Sequence, residues 1–454
     1  MSHNRTAILD AGASALLVVL GSALAATALY FAIEREAYLA NWRRVALFAV
    51  APTLAAAAAF VAAHSERRRR FAVFALVTAA TIYAGEIGLS IANAHKWSAV
   101  LAASDPRSKA EALEELRMAG RDAWPVAAPT TLVALASSGA SGAKPLLALG
   151  GISNAESLYC GEGRAFVRYR SDRYGFFNPD GAYDEKPRLM LLGDSYIQGY
   201  CVAPDAGVAP QLRETFPGAL NFGMNGNGPL IQLATLREFG PALEPEYVVW
   251  AFFDGNDFAN LEHEREQPAL MAYLESNHDL GLRDRQHEVN AFLRNHIAGE
   301  HKSAPRKSLA EAEGTRASIG RKFLPVLSLH NLLPFLGLPW GRVDFDYALF
   351  ERVLSVAKHD VARWSGKLIF VYLPITSNFY GLSRYGMSPS PARRRVLEIV
   401  RHLDIPIVDL VPVIAALPDP MAVSSTPRTH YNRLGYGLVA REITRAVESQ
   451  ADRQ

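Results

Sequence analysis

Over the first 93 residues, three apolar stretches stand against a polar background: Ala11 to Ile33 carries no charge, Val45 to Ala63 carries none, and Phe71 to Asn93 carries only Glu86. Each reaches the roughly 20 residues that a helix needs to cross the hydrocarbon of a bilayer. None shows the polar stripe by which a soluble helical bundle would meet water. The first stretch is too long for the apolar core of a cleaved leader, lacks a small-residue cleavage site, and is followed by two more. The pattern predicts three retained transmembrane helices over residues 1–93. Arg67, Arg68, Arg69 and Arg70 lie between the second and third stretches, against Arg35, Arg43 and Arg44 in the first loop. The four-arginine loop is expected on the cytoplasmic side. The N-terminus is then inside as well, and residues after about 94 lie in the periplasm or its equivalent.

Residues 94–185 read as a connector and leading segment, first helix-like and then rich in proline, glycine and serine (VAAPTTLVALASSGASGAKP). From 186 to 454 the text changes to short apolar runs separated by amphipathic stretches. The runs are RLMLLG (188–193), ALNFG (219–223), YVVWAFF (247–253), KLIFVYLPI (367–375) and IPIVDLV (405–411). Near-continuous apolar runs mark strands covered on both faces. Helical patterns fall near 208–216, 229–240, 347–364, 390–403 and 433–449. Strand alternating with helix predicts an α/β fold with a parallel sheet between two helical layers, whose site lies at the carboxyl ends of the strands. The rhythm breaks at about 261–346, too long for a structureless loop. A helical insertion is expected there, capping the site or meeting a partner; its apolar, proline-containing later part also suits contact with a membrane surface.

Candidate chemistry collects where the strands end. The first runs into Gly193-Asp194-Ser195, a turn that exposes a serine at the sheet edge. The second runs into Asn221-Phe222-Gly223-Met224-Asn225-Gly226-Asn227-Gly228 and the third into Phe253-Asp254-Gly255-Asn256-Asp257. A backbone N–H of Gly226 and the side-chain amide of Asn256 are donors suited to a developing oxyanion, together with the Ser195 N–H. Near the end comes Thr429-His430-Tyr431-Asn432, after the fifth strand and before the last helix. A loop there can bring His430 over Ser195 as general base. Taken singly, each is more often a capped turn or a surface histidine.

The four blocks together, in this order, resemble the SGNH hydrolase family, also called the GDSL esterases and lipases. The resemblance covers roughly 186 to 445, interrupted by the insertion. It implies a three-layer α/β/α sandwich with a flavodoxin-like sheet, Ser195 as nucleophile, Gly226 and Asn256 as oxyanion donors, and His430 as base. One position departs from the family pattern. An aspartate commonly precedes the histidine by two or three residues, and here Arg428 and Pro427 stand there. A Ser195–His430 dyad is therefore expected, with Asp419 or Asp409 as the alternative acid reaching in by another path.

The remaining features narrow the class. A net charge of +2 gives no ground for a nucleic-acid partner. His263, His278, His287 and His296 show no ligand spacing, so neither a metal nor another cofactor is expected. Asp194 and Asp257 read as local turn carboxylates. Glu86 reads as a snorkelling or helix-packing residue near the outward end of its helix. Tyr169 to Pro179, with arginines and aromatics, suits sugar or anion contact, or a strand and turn packed on the sheet edge. Cys160 and Cys201 form a disulfide in an oxidising compartment or stay free in the cytoplasm. The expected function is an extracytoplasmic, membrane-anchored serine esterase or deacylase. The resemblance points to acylated, above all acetylated, glycans of the cell envelope as substrates. An O-acyltransferase fed by a membrane acyl-donor partner, and a non-catalytic glycan-binding or assembly protein, are the alternatives.

Overall fold

The structure is a computed structural model, and it describes residues 2–33, 51–102, 105, 107–136, 145–160, 166–303, 332, 345–379, 391–424 and 430–452. Among the described residues three helices come first: α1 (Ser2–Ile33), α2 (Ala51–Ala63) and α3 (Arg68–Ala102). Leu17, Ala62, Ala63 and Ala72 form a small buried cluster among them. Gly21 permits the close approach of α1 to α2, since a Cβ there would lie 3.4 Å from the Ala56 carbonyl oxygen. Ser14 Oγ donates to the Ala63 carbonyl, and Asp10 pairs with Arg68 and Arg69. Around this seam the helices turn apolar side chains outward, among them Ile8, Val19, Leu54, Phe60, Val61 and Phe74. Among the described residues one helix, over Arg68–Ile91, is long and apolar enough to cross a membrane; Thr6–Ser22 and Pro52–Ala63 are shorter apolar stretches. The start of the second expected span, from Val45, lies outside the described residues.

Two readings of this region are filled in: the helix-like text after 93 extends the third helix, and Glu86 takes the packing alternative. The third helix does not end with its apolar run near 93 but continues to Ala102, because residues 94–102 hold neither proline nor glycine to stop it. Glu86 is fully buried, and its carboxylate accepts the N–H of Leu332 at 2.6 Å. It meets a peptide group of the insertion instead of reaching for water.

The stretch read as a connector is folded. After α4 (Lys109–Met118), started by a Ser108–Glu111 capping box, come β1 (Ala123–Pro125), α5 (Pro129–Ala136), β2 (Glu156–Leu158) and β3 (Arg168–Arg170). β1 pairs parallel to β2, and β2 antiparallel to β3. Strands of three residues leave no alternation to detect. Tyr169 to Pro179 is the strand-and-turn alternative: the buried Asp172 carboxylate accepts the Tyr174 and Phe176 N–H groups at 2.8 and 2.9 Å. Asn178 then docks the turn on the sheet edge, accepting the Asn221 N–H at 2.7 Å and donating to the Asn221 carbonyl at 2.9 Å.

The larger unit holds, in chain order, β4 (Leu189–Leu192), α6 (Ser195–Gln198), α7 (Val208–Leu212), β5 (Leu220–Asn221), α8 (Pro229–Leu243), β6 (Tyr247–Phe253), α9 (Asp257–Glu264), α10 (Pro268–Met271), α11 (Gln286–Ser303), α12 (Tyr347–Ala362), β7 (Lys367–Leu373), α13 (Pro391–His402), β8 (Ile407–Asp409), α14 (Leu410–Ala415) and α15 (Arg433–Ala451). The five strands β4–β8 form one parallel sheet in the order β5-β4-β6-β7-β8. Counted along the chain this is 2-1-3-4-5, the doubly wound order with its switch point between β4 and β6. β6 and β7 pair over their whole length, Tyr247 opposite Lys367 through Phe253 opposite Leu373. Their side chains are nearly all buried, Trp250, Phe252, Phe370 and Tyr372 completely. Helices α8, α12 and α13 pack together on one side; α7, α14 and α15 pack together on the other. β8 stops at Asp409 because that side chain accepts the Val411 N–H and starts α14.

The described part of the insertion is largely helical, and α11 packs on the leading segment. Its Val289, Leu293 and Ile297 pack on Leu132, Ala148, Ile152 and Ala155 of the leading segment. Arg294 pairs with Asp122, and Asn290 Nδ2 donates to Ser153 Oγ at 2.8 Å. Residues 304–331 and 333–344, with most of the apolar text, lie outside the described residues.

Candidate active site

β4 delivers its last residue to the carboxyl edge of the sheet, and Gly193 makes the turn. A Cβ at Gly193 would lie 2.5 Å from Ile197 Cγ1 and 3.2 Å from Ala251 Cβ. Asp194 then caps the one-turn helix α6, accepting the Tyr196 N–H at 2.9 Å. Ser195 follows as its first residue, buried, with Oγ 2.7 Å from His430 Nε2. With Nε2 unprotonated, the hydroxyl donates to it, the geometry a general base requires.

His430 is held by its neighbours in the chain. Ser424 and Tyr431 form an antiparallel bridge, and Tyr431 Oη donates to the Pro374 carbonyl at 2.8 Å. Asn432 caps α15 through the Gly435 N–H at 3.1 Å and donates to the Ala422 carbonyl at 2.7 Å. The imidazole lies against two rings, Tyr200 at 4.1 Å and 30° and Tyr196 at 4.8 Å and 35° between centroids and planes. Burial pushes its pKa down to about 4, because the charged form is the one that loses most by leaving water. The base form is therefore present at every pH above about 5. The acid limb of an ester-hydrolysis profile is expected near pH 4 instead of near 6.5. A limb at 6.5 would mean the imidazole is solvated.

The two alternative acids are engaged elsewhere. Asp409 pairs with Arg393 and caps α14, and Asp419 accepts the Met421 N–H at 2.9 Å. Residues 427 and 428, three and two before His430, lie outside the described residues.

Asn256 lies three residues beyond the end of β6, directly before α9, with φ of −142° and no capping bond of its own. Its side-chain amide bonds the Asp194 carboxylate instead. Asp194 thus ties three parts of the edge together: the Tyr196 N–H, the Asn256 amide and Ser195 Oγ, 3.4 Å from Oδ2. Asp257 lies beside it, accepting the Phe253 N–H at 3.2 Å. Burial holds both carboxyls above the ordinary carboxylate range, and the charge of Asp194 raises Asp257 further.

Gly226 sits at φ +78° in the loop after β5, a left-handed conformation that favours glycine. Its carbonyl accepts the Thr130 hydroxyl of α5. Gln198, at the end of α6, accepts the Asn225 N–H at 2.8 Å and so links this loop to the turn of Ser195. The far end of the loop is held by Glu264, whose buried carboxylate accepts the N–H groups of Gly228, Leu230 and Ile231 at 2.6, 2.9 and 3.4 Å. These are orphan donors at the start of α8. Burial still outweighs them and pushes the Glu264 pKa up to about 7.

The structure therefore brings Ser195 and His430 into contact, links Asn256 to them through Asp194, and sets Gly226 on the adjoining loop. Glu264, Gln198, Thr130 and Tyr200 were not singled out from the sequence. Tyr200 had a signal in its nearness to Ser195 and Cys201; the other three act across the fold. Among the described residues, no group of three or more His, Cys, Asp or Glu could hold a metal ion.

No family model matches the chain, and no curated protein matches it. Among solved structures it is similar to a lipase/acylhydrolase from Enterococcus faecalis, at 14% identity over 58% of this chain and 95% of that one, with a TM-score of 0.31. It is similar to a psychrotrophic esterase from a Pseudoalteromonas species at 10% identity, over 58% and 98% of the two chains, with a TM-score of 0.31. An acetyl xylan esterase from Geobacillus stearothermophilus gives 15% identity over 57% and 94%, with a TM-score of 0.30.

Proposed function

We propose that this chain is a membrane-anchored serine esterase that removes ester-linked acyl groups, with acetylated glycans of the cell envelope as its substrate class. The observation that carries the reading is the 2.7 Å contact between Ser195 Oγ and His430 Nε2 at the carboxyl edge of a doubly wound sheet. Ser195 attacks the ester carbonyl while His430 Nε2 takes its proton. The tetrahedral oxyanion is met by the Ser195 and Gly226 N–H groups and the second N–H of the Asn256 amide. His430 returns the proton to the leaving alcohol, and water resolves the acyl-enzyme by the same base.

The anchor is read as three membrane-crossing helices. Supporting this, Asp10 pairs with Arg68 and Arg69, which sets the early part of α1 beside the four-arginine loop, on the side expected to be cytoplasmic. Exposed apolar side chains on all three helices suit lipid. α3 then carries the rest of the chain to the other side. The Cys160–Cys201 disulfide suits an oxidising compartment there.

The test is acetate release from chemically acetylated xylan, and hydrolysis of an aryl acetate, by the full-length protein in detergent micelles. Release from both supports the proposal. Aryl ester cleavage without glycan deacetylation would remove the substrate class, and no cleavage of either would remove the esterase reading.

A further inference from the structure

Tyr200 lies five residues after the nucleophile, directly after Gly199, which ends α6 at φ +85°. The next residue, Cys201, has φ +59°. For a residue with a Cβ this left-handed conformation is uncommon and persists where surrounding structure holds it. Here the holding structure is covalent: Cys201 is bonded to Cys160, 41 residues away, with Cα atoms 5.2 Å apart. Cys160 is buried and anchored in the small sheet, where Tyr159 N–H donates to the Val167 carbonyl and Val167 N–H to the Cys160 carbonyl, both at 2.8 Å. Tyr159 meets the Tyr200 ring edge-on at 5.0 Å and 87°. Tyr169 and Phe177, stacked at 4.1 Å, back it from below. The aromatic chain ends on His430, with the Tyr200 ring stacked over the imidazole.

We propose that Tyr200 is a positioning residue for His430 and that the Cys160–Cys201 disulfide holds it there, so that the reactivity of the Ser195–His430 pair depends on a covalent bond to the leading segment. The inference rests on the esterase reading for its consequence, but not for its geometry. Stacking fixes the plane of a ring that has Arg428 and Pro427, and no aspartate, two and three residues before it, and excludes water from one face. Reduction returns two thiols: a dithiol gives two electrons and two protons and becomes a disulfide, while a phosphine gives two electrons and becomes the phosphine oxide, water supplying its oxygen and the two protons. It releases Cys201 to leave its left-handed conformation, and Tyr200 moves with it.

The groups around the imidazole limit what else could set its titration. Among the described residues they include Tyr196, with Tyr431 and Tyr436 packed against it, and Asp194 beside Ser195 Oγ. Asp254 acts on Tyr431. None of these belongs to the disulfide-held segment, so reduction leaves them in place.

The experiment uses the full-length protein in detergent micelles, as wild type oxidised and reduced with a phosphine, as Tyr200→Ala and Tyr200→Phe, and as the Cys160→Ser/Cys201→Ser double variant. The pH dependence of His430 carbethoxylation by diethyl pyrocarbonate, read by peptide mass spectrometry, reports the imidazole without any need for catalysis. Oxidised wild type and Tyr200→Phe are expected to share one low midpoint. Tyr200→Ala, the double serine variant and the reduced protein are expected to move it up by roughly 1–2 pH units as the ring gains water, and to react with a fluorophosphonate about 10- to 100-fold more slowly. Rescue by phenylalanine separates ring stacking from a general loss of fold. A wild-type midpoint in Tyr200→Ala and in the reduced protein overturns the inference. Absence of fluorophosphonate reaction in oxidised wild type overturns the esterase reading instead, while the His430 midpoints still decide the role of Tyr200.

Discussion

Replacing Ser195 by alanine is expected to lower ester hydrolysis by at least about 1,000-fold, to the level left by binding and the oxyanion donors alone. The fold should survive, because the hydroxyl's contacts are His430 Nε2 and the Asp194 carboxylate, and neither is part of the sheet ladder. His430→Ala should fall to a similar floor, and the double variant little further, since nucleophile and base act as one unit. The measurement is the initial rate on an aryl acetate, with thermal unfolding as the control for structure. A Ser195→Ala protein that keeps a tenth or more of the rate would place the chemistry elsewhere.

The second large effect is expected at Glu264. Its carboxylate receives three backbone N–H groups that begin α8 and end the loop carrying Gly226. Glu264→Ala leaves these donors buried without an acceptor and opens a void beneath Gly228, where a Cβ would already lie 2.7 Å from Glu264 Oε1. An unsatisfied buried donor costs about 1–3 kcal/mol, so a loss of about 3 kcal/mol or more is expected in denaturant unfolding. Glu264→Gln keeps one acceptor oxygen and should lose less. The sign of the pH dependence follows from a folded pKa of about 7 above the ordinary 4.5. The fold holds the proton more tightly than the unfolded chain, so this group's contribution is full below about 4.5 and declines as pH rises through 7. In Glu264→Gln that decline should vanish. Equal stability of wild type and Glu264→Ala would show that the three amides are satisfied without it.

The sheet was legible because β4, β6 and β7 are near-continuous apolar runs, which only a strand covered on both faces requires. Ser195 and His430 were legible as a pair only through the order of four polar turns at strand ends; each turn alone is ordinary. The small sheet was not legible, since Ala123–Pro125, Glu156–Leu158 and Arg168–Arg170 are too short for periodicity to appear. Glu264 was hidden for another reason. It reads as one more polar residue of a helix, and its partners lie 33 to 36 residues earlier, a distance no local pattern spans. The Cys160–Cys201 pair was named from the sequence, but its bonding turned on a Cα separation that sequence does not give, 5.2 Å in the fold.

The central claim is that Ser195 is a nucleophile activated by His430, and the most direct measurement is reaction of the full-length protein with a fluorophosphonate, mapped by mass spectrometry. The account predicts a single phosphonyl adduct on Ser195 that disappears in Ser195→Ala and in His430→Ala. A folded wild-type chain that takes up no adduct, or one modified at another serine, would contradict it.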